Sequence, residues 1–212
     1  MADGKLPGPV PMKLKFGPNS PYVRKVLILA IELDLEDRIE RELVNLSPYE
    51  PDAGVVAINP LGKIPAFVTD DGMALFDSSV VCEYLSALSG DAAWYPSARN
   101  ARWHALRCNA LANGMLEAAQ LVRLEQVRPE AFRYDKWVQA QTAKVLRAIA
   151  FLEDQPPAEA DIGAIAVACA LGWLDFRFAE LAWRDSAPRL AAWFEVFGRR
   201  ESFAATRHPG QK

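Results

Sequence analysis

Histidine and cysteine are scarce in this chain of 212 residues: two of the first (His104, His208) and three of the second (Cys82, Cys108, Cys169). They fall at no metal-ligand spacing, so no metal site is expected. The cysteines lie apart in apolar helical stretches. They read as buried free thiols in a reducing compartment, which points to a cytoplasmic location. An excess of charge is missing too. Lys and Arg number 24 against 27 Asp and Glu, a net charge of −3, which argues against nucleic acid as a partner. Long apolar runs are also lacking. The longest, residues 162–174, is followed by Asp175 and Arg177. It falls short of the ~20 residues of a membrane span and reads as a buried core helix. Residues 1–11 carry Lys5 and a cluster of proline and glycine but no apolar h-region, so they read as a flexible tail rather than a signal peptide. No internal repeat or low-complexity segment is present.

What is there is the composition of a globular protein: 51% hydrophobic and 24% charged residues. The length suits one large domain or two small ones and is enough to bury a core. Strand signals occupy only the first part. Residues 12–16 alternate apolar residues with lysine. Ser20-Pro21 then has the chemistry of a helix start, with Val23, Val26, Leu27, Ala30 and Ile31 as the expected apolar stripe. A second strand is expected over 39–46, a loop over 48–52 and a short helix over 54–58.

The organising stretch runs from Asn59 to Ser79. Asn59-Pro60-Leu61-Gly62 is turn chemistry. Residues 64–69 and 73–76 read as short strands around an Asp71-Gly72 hairpin signal. Asp77-Ser78-Ser79 then caps a helix that carries Val81, Tyr84, Leu85 and Leu88 at helical spacing. Pro65, at the start of a strand, lacks an N–H and leaves a backbone edge free to pair with an extended peptide. Asp77 and Ser78 offer a carboxylate, a hydroxyl and helix N-terminal N–H groups to a ligand with both a carboxylate and an ammonium group. On these residues alone, a plain hairpin followed by a capped helix is the favoured reading, because capped helices are common.

Beyond a linker over 89–97 the strand signals stop. Helices are expected over 98–126 and 130–154, the latter with Val138, Val145, Ile149 and Leu152 on one face. A core helix over 162–178 and a last helix with Leu190, Trp193, Phe194 and Phe197 follow. Tryptophans in this half are expected to pack in the core. The order is β-α-β, then β-β-α, then helices only. It predicts an α+β domain over 12–88 with a mixed four-stranded sheet, then an all-α bundle over 98–212.

Asn-Pro-x-Gly-Lys-Ile-Pro, a hairpin, and Asp-Ser before a helix resemble the glutathione-binding stretch of the glutathione S-transferase superfamily. The resemblance covers nearly the whole chain after the tail. It implies a thioredoxin-like domain followed by a helical bundle. It further implies a cis Pro65, pairing of the Ile64 backbone with the cysteinyl part of glutathione, Asp77 and Ser78 at the γ-glutamyl end, and Lys63 at the glycine carboxylate.

Asn19-Ser20-Pro21-Tyr22 resembles the serine-type active site of the superfamily, so Ser20 is the implied catalytic residue. Its role would be to donate to the glutathione thiolate at the positive end of a helix. On the residues alone it is a helix cap. Neither Cys-Pro nor Cys-x-x-Cys stands at this loop, which excludes dithiol chemistry there. Tyr22 and Arg24 are expected to serve packing or solvation, and His104, Arg107 and Asn113 to lie toward the second substrate. The family commonly opens its core helix with Ser or Thr and an Asp three residues on. Here Asp161 can cap, but Ala164 cannot return the bond. The implied protein is a cytoplasmic, homodimeric detoxification transferase that adds glutathione to an electrophilic small molecule. The competing reading is a non-catalytic binding or regulatory protein on the same fold.

Overall fold

The computed structural model describes residues 10–47 and 49–209. Most of the expected tail, and Pro48 of the expected loop, lie outside them. Two compact units meet at Ser89 and Gly90.

The first unit is built on a four-stranded sheet in the order β2-β1-β3-β4, made by β1 (Met12–Phe16), β2 (Ile39–Leu43), β3 (Ala66–Val68) and β4 (Ala74–Leu75). β1 runs parallel to β2 and antiparallel to β3, and β3 is antiparallel to β4. The alternation read in β1 is real: Met12 and Leu14 are buried while Lys13 stands out. Lys13 pairs across the strands with Glu40 (3.8 Å) and Glu42 (3.6 Å), and Lys15 with Glu42. These pairs neutralise charge on a solvated face, and at such exposure each contributes little.

Helices α1 (Pro21–Glu32), α2 (Ala53–Val56) and α3 (Ser78–Ser89) complete the unit, and α1 packs on α3. The buried stripe of α1 differs from the expected one. Val23, Val26 and Ala30 are buried as read, but Ile28, Leu29, Arg24 and Lys25 join them, whereas Leu27 and Ile31 are half-buried. Long basic side chains can bury their methylene stems, so polarity alone misplaces the face.

Every strand after the first is shorter than expected. β2 stops at Leu43, β3 begins at Ala66, immediately after the proline without an N–H, and β4 holds two residues. The hairpin is a three-residue loop. Gly72 N–H donates to Thr69 O (3.0 Å), Gly72 has φ +89, and Met73 N–H donates to the Thr69 hydroxyl (2.8 Å). That is a type I turn closed by a left-handed glycine.

The second unit is helical among the described residues: α4 (Arg99–Gln126), α5 (Asp135–Asp154), α6 (Ile162–Arg177), α7 (Trp183–Ser186), α8 (Pro188–Phe197) and α9 (Glu201–Ala205). The expected start of α5 at residue 130 is wrong. Residues 130–132 form a single 3-10 turn, and the helix begins at Asp135. The helix at Leu190 is not the last, since α9 follows it.

α6 is the core, with every residue from Ile162 to Leu174 buried. Its N-cap is Asp161, whose Oδ1 accepts from Ala164 N–H at 2.9 Å. Burial raises the Asp161 carboxyl pKa above its ordinary value, against the lowering effect of the Ala164 and Gly163 N–H groups. Gly163 lets α6 touch α4: a Cβ there would stand 2.6 Å from Ala105 O and 2.7 Å from Cys108 Cβ. The carboxylate of Glu153, on α5, accepts from Arg189 N–H (3.1 Å) and Leu190 N–H (2.8 Å), so it caps α8 from outside.

Trp94 and Tyr95, in the expected linker, are buried, and Trp94 O accepts from Ile162 N–H at 3.0 Å. Of the tryptophans, Trp94, Trp173 and Trp183 are core, while Trp103 and Trp137 are exposed, contrary to the expectation for this half. The three cysteines are buried, and none forms a disulfide among the described residues. No single helix among the described residues is long and apolar enough to cross a membrane.

Candidate functional site

Topology brings the sequence-derived residues together. β1 ends at Phe16, where the loop to α1 carries Ser20. β3 runs antiparallel to β1, so its start, with Lys63, Ile64 and Pro65 just before it, lies at that same end. β4 runs antiparallel to β3, so its exit into Asp77 and Ser78 returns there too. One end of the sheet therefore holds the N-termini of α1 and α3 and the chain segment between them. Positive helix ends gathered in this way favour an anionic ligand.

Ser20 is the N-cap of α1, with extended backbone (φ −84, ψ 119). Its N–H donates to Gly17 O (3.0 Å), and its Oγ accepts from Val23 N–H at 3.3 Å. The second bond is long, and it uses the hydroxyl only as an acceptor, leaving its proton for another partner. Gly17 sits against Ile64: a Cβ on Gly17 would lie 3.0 Å from Ile64 Cδ1. The serine loop and the segment ahead of β3 are thus in direct contact.

The Ile64–Pro65 peptide is cis, as the resemblance implied. The turn before it is held by Asn59, which is buried. Its Nδ2 donates to Lys63 O (2.8 Å), its Oδ1 accepts from Leu61 N–H (3.1 Å), and its carbonyl accepts from Gly62 N–H (2.8 Å) at a glycine of φ +63. Asn59 was read only as a turn former. Its role as the brace of Lys63 depends on a side-chain direction that spacing does not reveal. The Ile64 N–H and C=O make no hydrogen bond among the described residues. Lys63 is exposed and Pro65 buried.

Asp77 caps α3. Its Oδ1 accepts from Ser79 N–H (2.8 Å) and its carbonyl from Val81 N–H (3.0 Å). The residue is exposed, so the second carboxylate oxygen remains available. Ser78 is 1% exposed, and its Oγ finds no hydrogen-bond partner among the described residues. A buried hydroxyl without a protein partner is uncommon in a native fold.

Arg24 is buried at α1, while Tyr22 is half-buried. In the helical unit, His104 and Arg107 share a depression of about 300 Å³ with Asn100 and Trp103, whereas Asn113 does not line it. Cys108 Sγ lies 4.0 Å from His104 Nδ1, and burial raises the thiol pKa. That makes it an unreactive sulfur. A larger hollow of about 370 Å³ lies where α4 turns toward α5, lined by Leu121, Leu124, Phe132 and Trp137 around Glu125 and Arg128. Sequence reasoning did not anticipate it, because its walls come from both sides of the 3-10 turn.

Residues 19–88 match the family model of the glutathione S-transferase N-terminal domain, and residues 135–195 that of the C-terminal domain. The chain belongs to the glutathione S-transferase family. This member is 35% identical over 204 residues to the uncharacterized GST-like protein YibF of Escherichia coli K12, covering 93% of this chain and 99% of that one. A glutathione transferase family member from Pseudomonas fluorescens Pf-5, solved with bound glutathione, shares 41% identity with a TM-score of 0.89, over 93% of this chain and 99% of that one. A glutathione S-transferase from Methylobacillus flagellatus KT, solved with GSH bound, shares 33% identity with a TM-score of 0.83, over 92% and 98% of the two chains. The expected architecture, a mixed four-stranded sheet domain followed by a helical one, is therefore that of a glutathione S-transferase.

Proposed function

We propose that this glutathione S-transferase binds glutathione at the end of its sheet and adds the glutathione sulfur to an electrophilic small molecule. The unpaired main chain of Ile64 carries the reading. Its N–H and C=O, just ahead of β3, have no hydrogen-bond partner among the described residues and are groups with which an extended cysteinyl residue can pair. Asp77 and Ser78 receive the γ-glutamyl ammonium and carboxylate, and Lys63 the glycine carboxylate. Relatives of similar length and fold were solved with glutathione bound, which supports the same ligand here.

Ser20 is the residue for the chemistry. A free thiol with pKa ~8.5 is only a few per cent thiolate at neutral pH. The Ser20 proton, unused by its capping bond, donates to the sulfur and favours the charged form. The N-terminus of α1 adds to the effect. The thiol proton leaves to solvent and the sulfur attacks the electrophilic carbon; in a substitution the broken bond's pair departs with the leaving group, and in an addition the π pair shifts onto the neighbouring acceptor atom, which takes a proton from solvent. We further assign the protein to the cytoplasm, on the strength of its buried free thiols, and to a homodimeric assembly, on family resemblance.

Isothermal titration with glutathione at neutral pH tests the reading. Saturable heat with a millimolar or tighter Kd, followed by turnover of a generic electrophile, supports a transferase. Saturable heat without turnover on a broad electrophile panel leaves a binding protein. No heat removes the glutathione reading and turns attention to a protein partner.

A further inference from the structure

Lys63 and Ile64 share one peptide unit, and a side chain from outside it holds its carbonyl. Asn59 Nδ2 donates to Lys63 O at 2.8 Å. This peptide is trans, so its carbonyl and the Ile64 N–H point in opposite directions. Fixing the carbonyl on Asn59 therefore fixes the N–H on the opposite side, where it has no partner among the described residues. The anchor itself is firm. Asn59 is 3% exposed, its N–H donates to Val55 O in α2 (2.8 Å), and its carbonyl accepts from Gly62 N–H (2.8 Å).

Turn formation accounts for only half of this side chain. Oδ1 accepts from Leu61 N–H at 3.1 Å, a bond that Asp or Ser can also make. The turn does not need the Nδ2 donor, because the bond from Gly62 N–H to the Asn59 carbonyl already closes it. What the donor adds is control of the next peptide. A carbonyl that accepts a hydrogen bond polarises its own peptide and strengthens the N–H of that unit as a donor. We propose that Asn59 is a positioning residue for glutathione: through Lys63 O it aims and strengthens the Ile64 N–H that pairs with the cysteinyl backbone. The proposal rests on the glutathione reading above. It makes the amide nitrogen of Asn59, which touches no ligand atom, a determinant of affinity.

The test is isothermal titration of the full chain with glutathione, at neutral pH and well below the melting temperature, in wild type, Asn59→Ser and Asn59→Asp. Both variants keep an oxygen for Leu61 N–H and remove the donor to Lys63 O. Each raises Kd about fivefold to tenfold, the effect of weakening one hydrogen bond, with the number of sites per chain unchanged. A variant that merely misfolds in part lowers the number of sites and leaves Kd alone. Asn59→Ser carries no charge, so the comparison stands even if the buried carboxylate of Asn59→Asp unfolds the turn. Hydrogen exchange read residue by residue at saturating glutathione locates the effect. Glutathione slows exchange of the Ile64 amide in wild type, and slows it several-fold less in Asn59→Ser. No saturable heat with wild type removes the glutathione reading and this assignment with it. Wild-type binding whose Kd is unchanged in Asn59→Ser, or a raised Kd with the Ile64 amide protected as in wild type, overturns the assignment and leaves the glutathione reading standing.

Discussion

Gly163 lies so close to Ala105 that a Cβ at position 163 would stand 2.6 Å from the Ala105 carbonyl oxygen. The obstacle is helix backbone, which cannot rotate away as a side chain can. Gly163→Ala must push α6 off α4, and the expected cost is about 1–3 kcal/mol, despite the better helix propensity of alanine. Urea denaturation measures it. A stability equal to wild type would show that the two helices are not in the contact described.

Asp161 gives a pH-dependent comparison. Asp161→Ala removes the bond to Ala164 N–H and is expected to cost ~1 kcal/mol. Asp161→Asn keeps an acceptor and removes the charge. Because burial raises the folded-state pKa, the folded protein holds this proton more tightly than the unfolded chain does. The stabilisation from that proton is complete below the unfolded value of ~3.9 and is lost as pH rises through the raised folded value. The melting temperature of Asp161→Asn should therefore gain on wild type as pH climbs from about 4, and the gap should level off above the folded pKa. A gap independent of pH would sink this account.

Asp77→Ala is expected to weaken glutathione binding by at least the ~1.5–3 kcal/mol of a charge-assisted hydrogen bond. Part of any loss in stability belongs to the α3 cap, so affinity is read by titration well below the melting temperature. Unaltered affinity would mean that the γ-glutamyl end lies elsewhere.

Ser20→Ala separates two uses of one hydroxyl. Loss of the cap lowers stability by about 0.5–2 kcal/mol. Loss of the donor lowers the ultraviolet absorbance of bound thiolate and the turnover rate, with a smaller change in glutathione affinity. If stability falls while thiolate absorbance and turnover hold, Ser20 is a cap alone.

Much of this architecture is legible because it is local. Asn59 to Gly62 carries its own turn chemistry, Ser20-Pro21 and Asp77-Ser78 carry their own caps, and the all-apolar α6 can only be a core helix. What was misread depends on partners far along the chain. β3 and β4 end where their neighbours stop pairing, although the apolar pattern continues. Arg24 and Lys25 are buried in α1 by the elements around them. The 3-10 turn at 130–132 and the Met73 bond to Thr69 are decided by backbone geometry that residue type alone does not specify. In the candidate site, the sequence named residues that the fold gathers at one end of the sheet, whereas the Asn59 brace and the contact between Gly17 and Ile64 required coordinates.

The bond from Ile162 N–H to Trp94 O has a practical side. The first amide of the core helix is satisfied by a residue that sequence alone would place in a dispensable connector. A helical half produced by itself must begin ahead of Trp94. Started at Arg99, it would expose the opening of α6, leave a space the size of an indole, and fail to fold for reasons unrelated to the missing sheet.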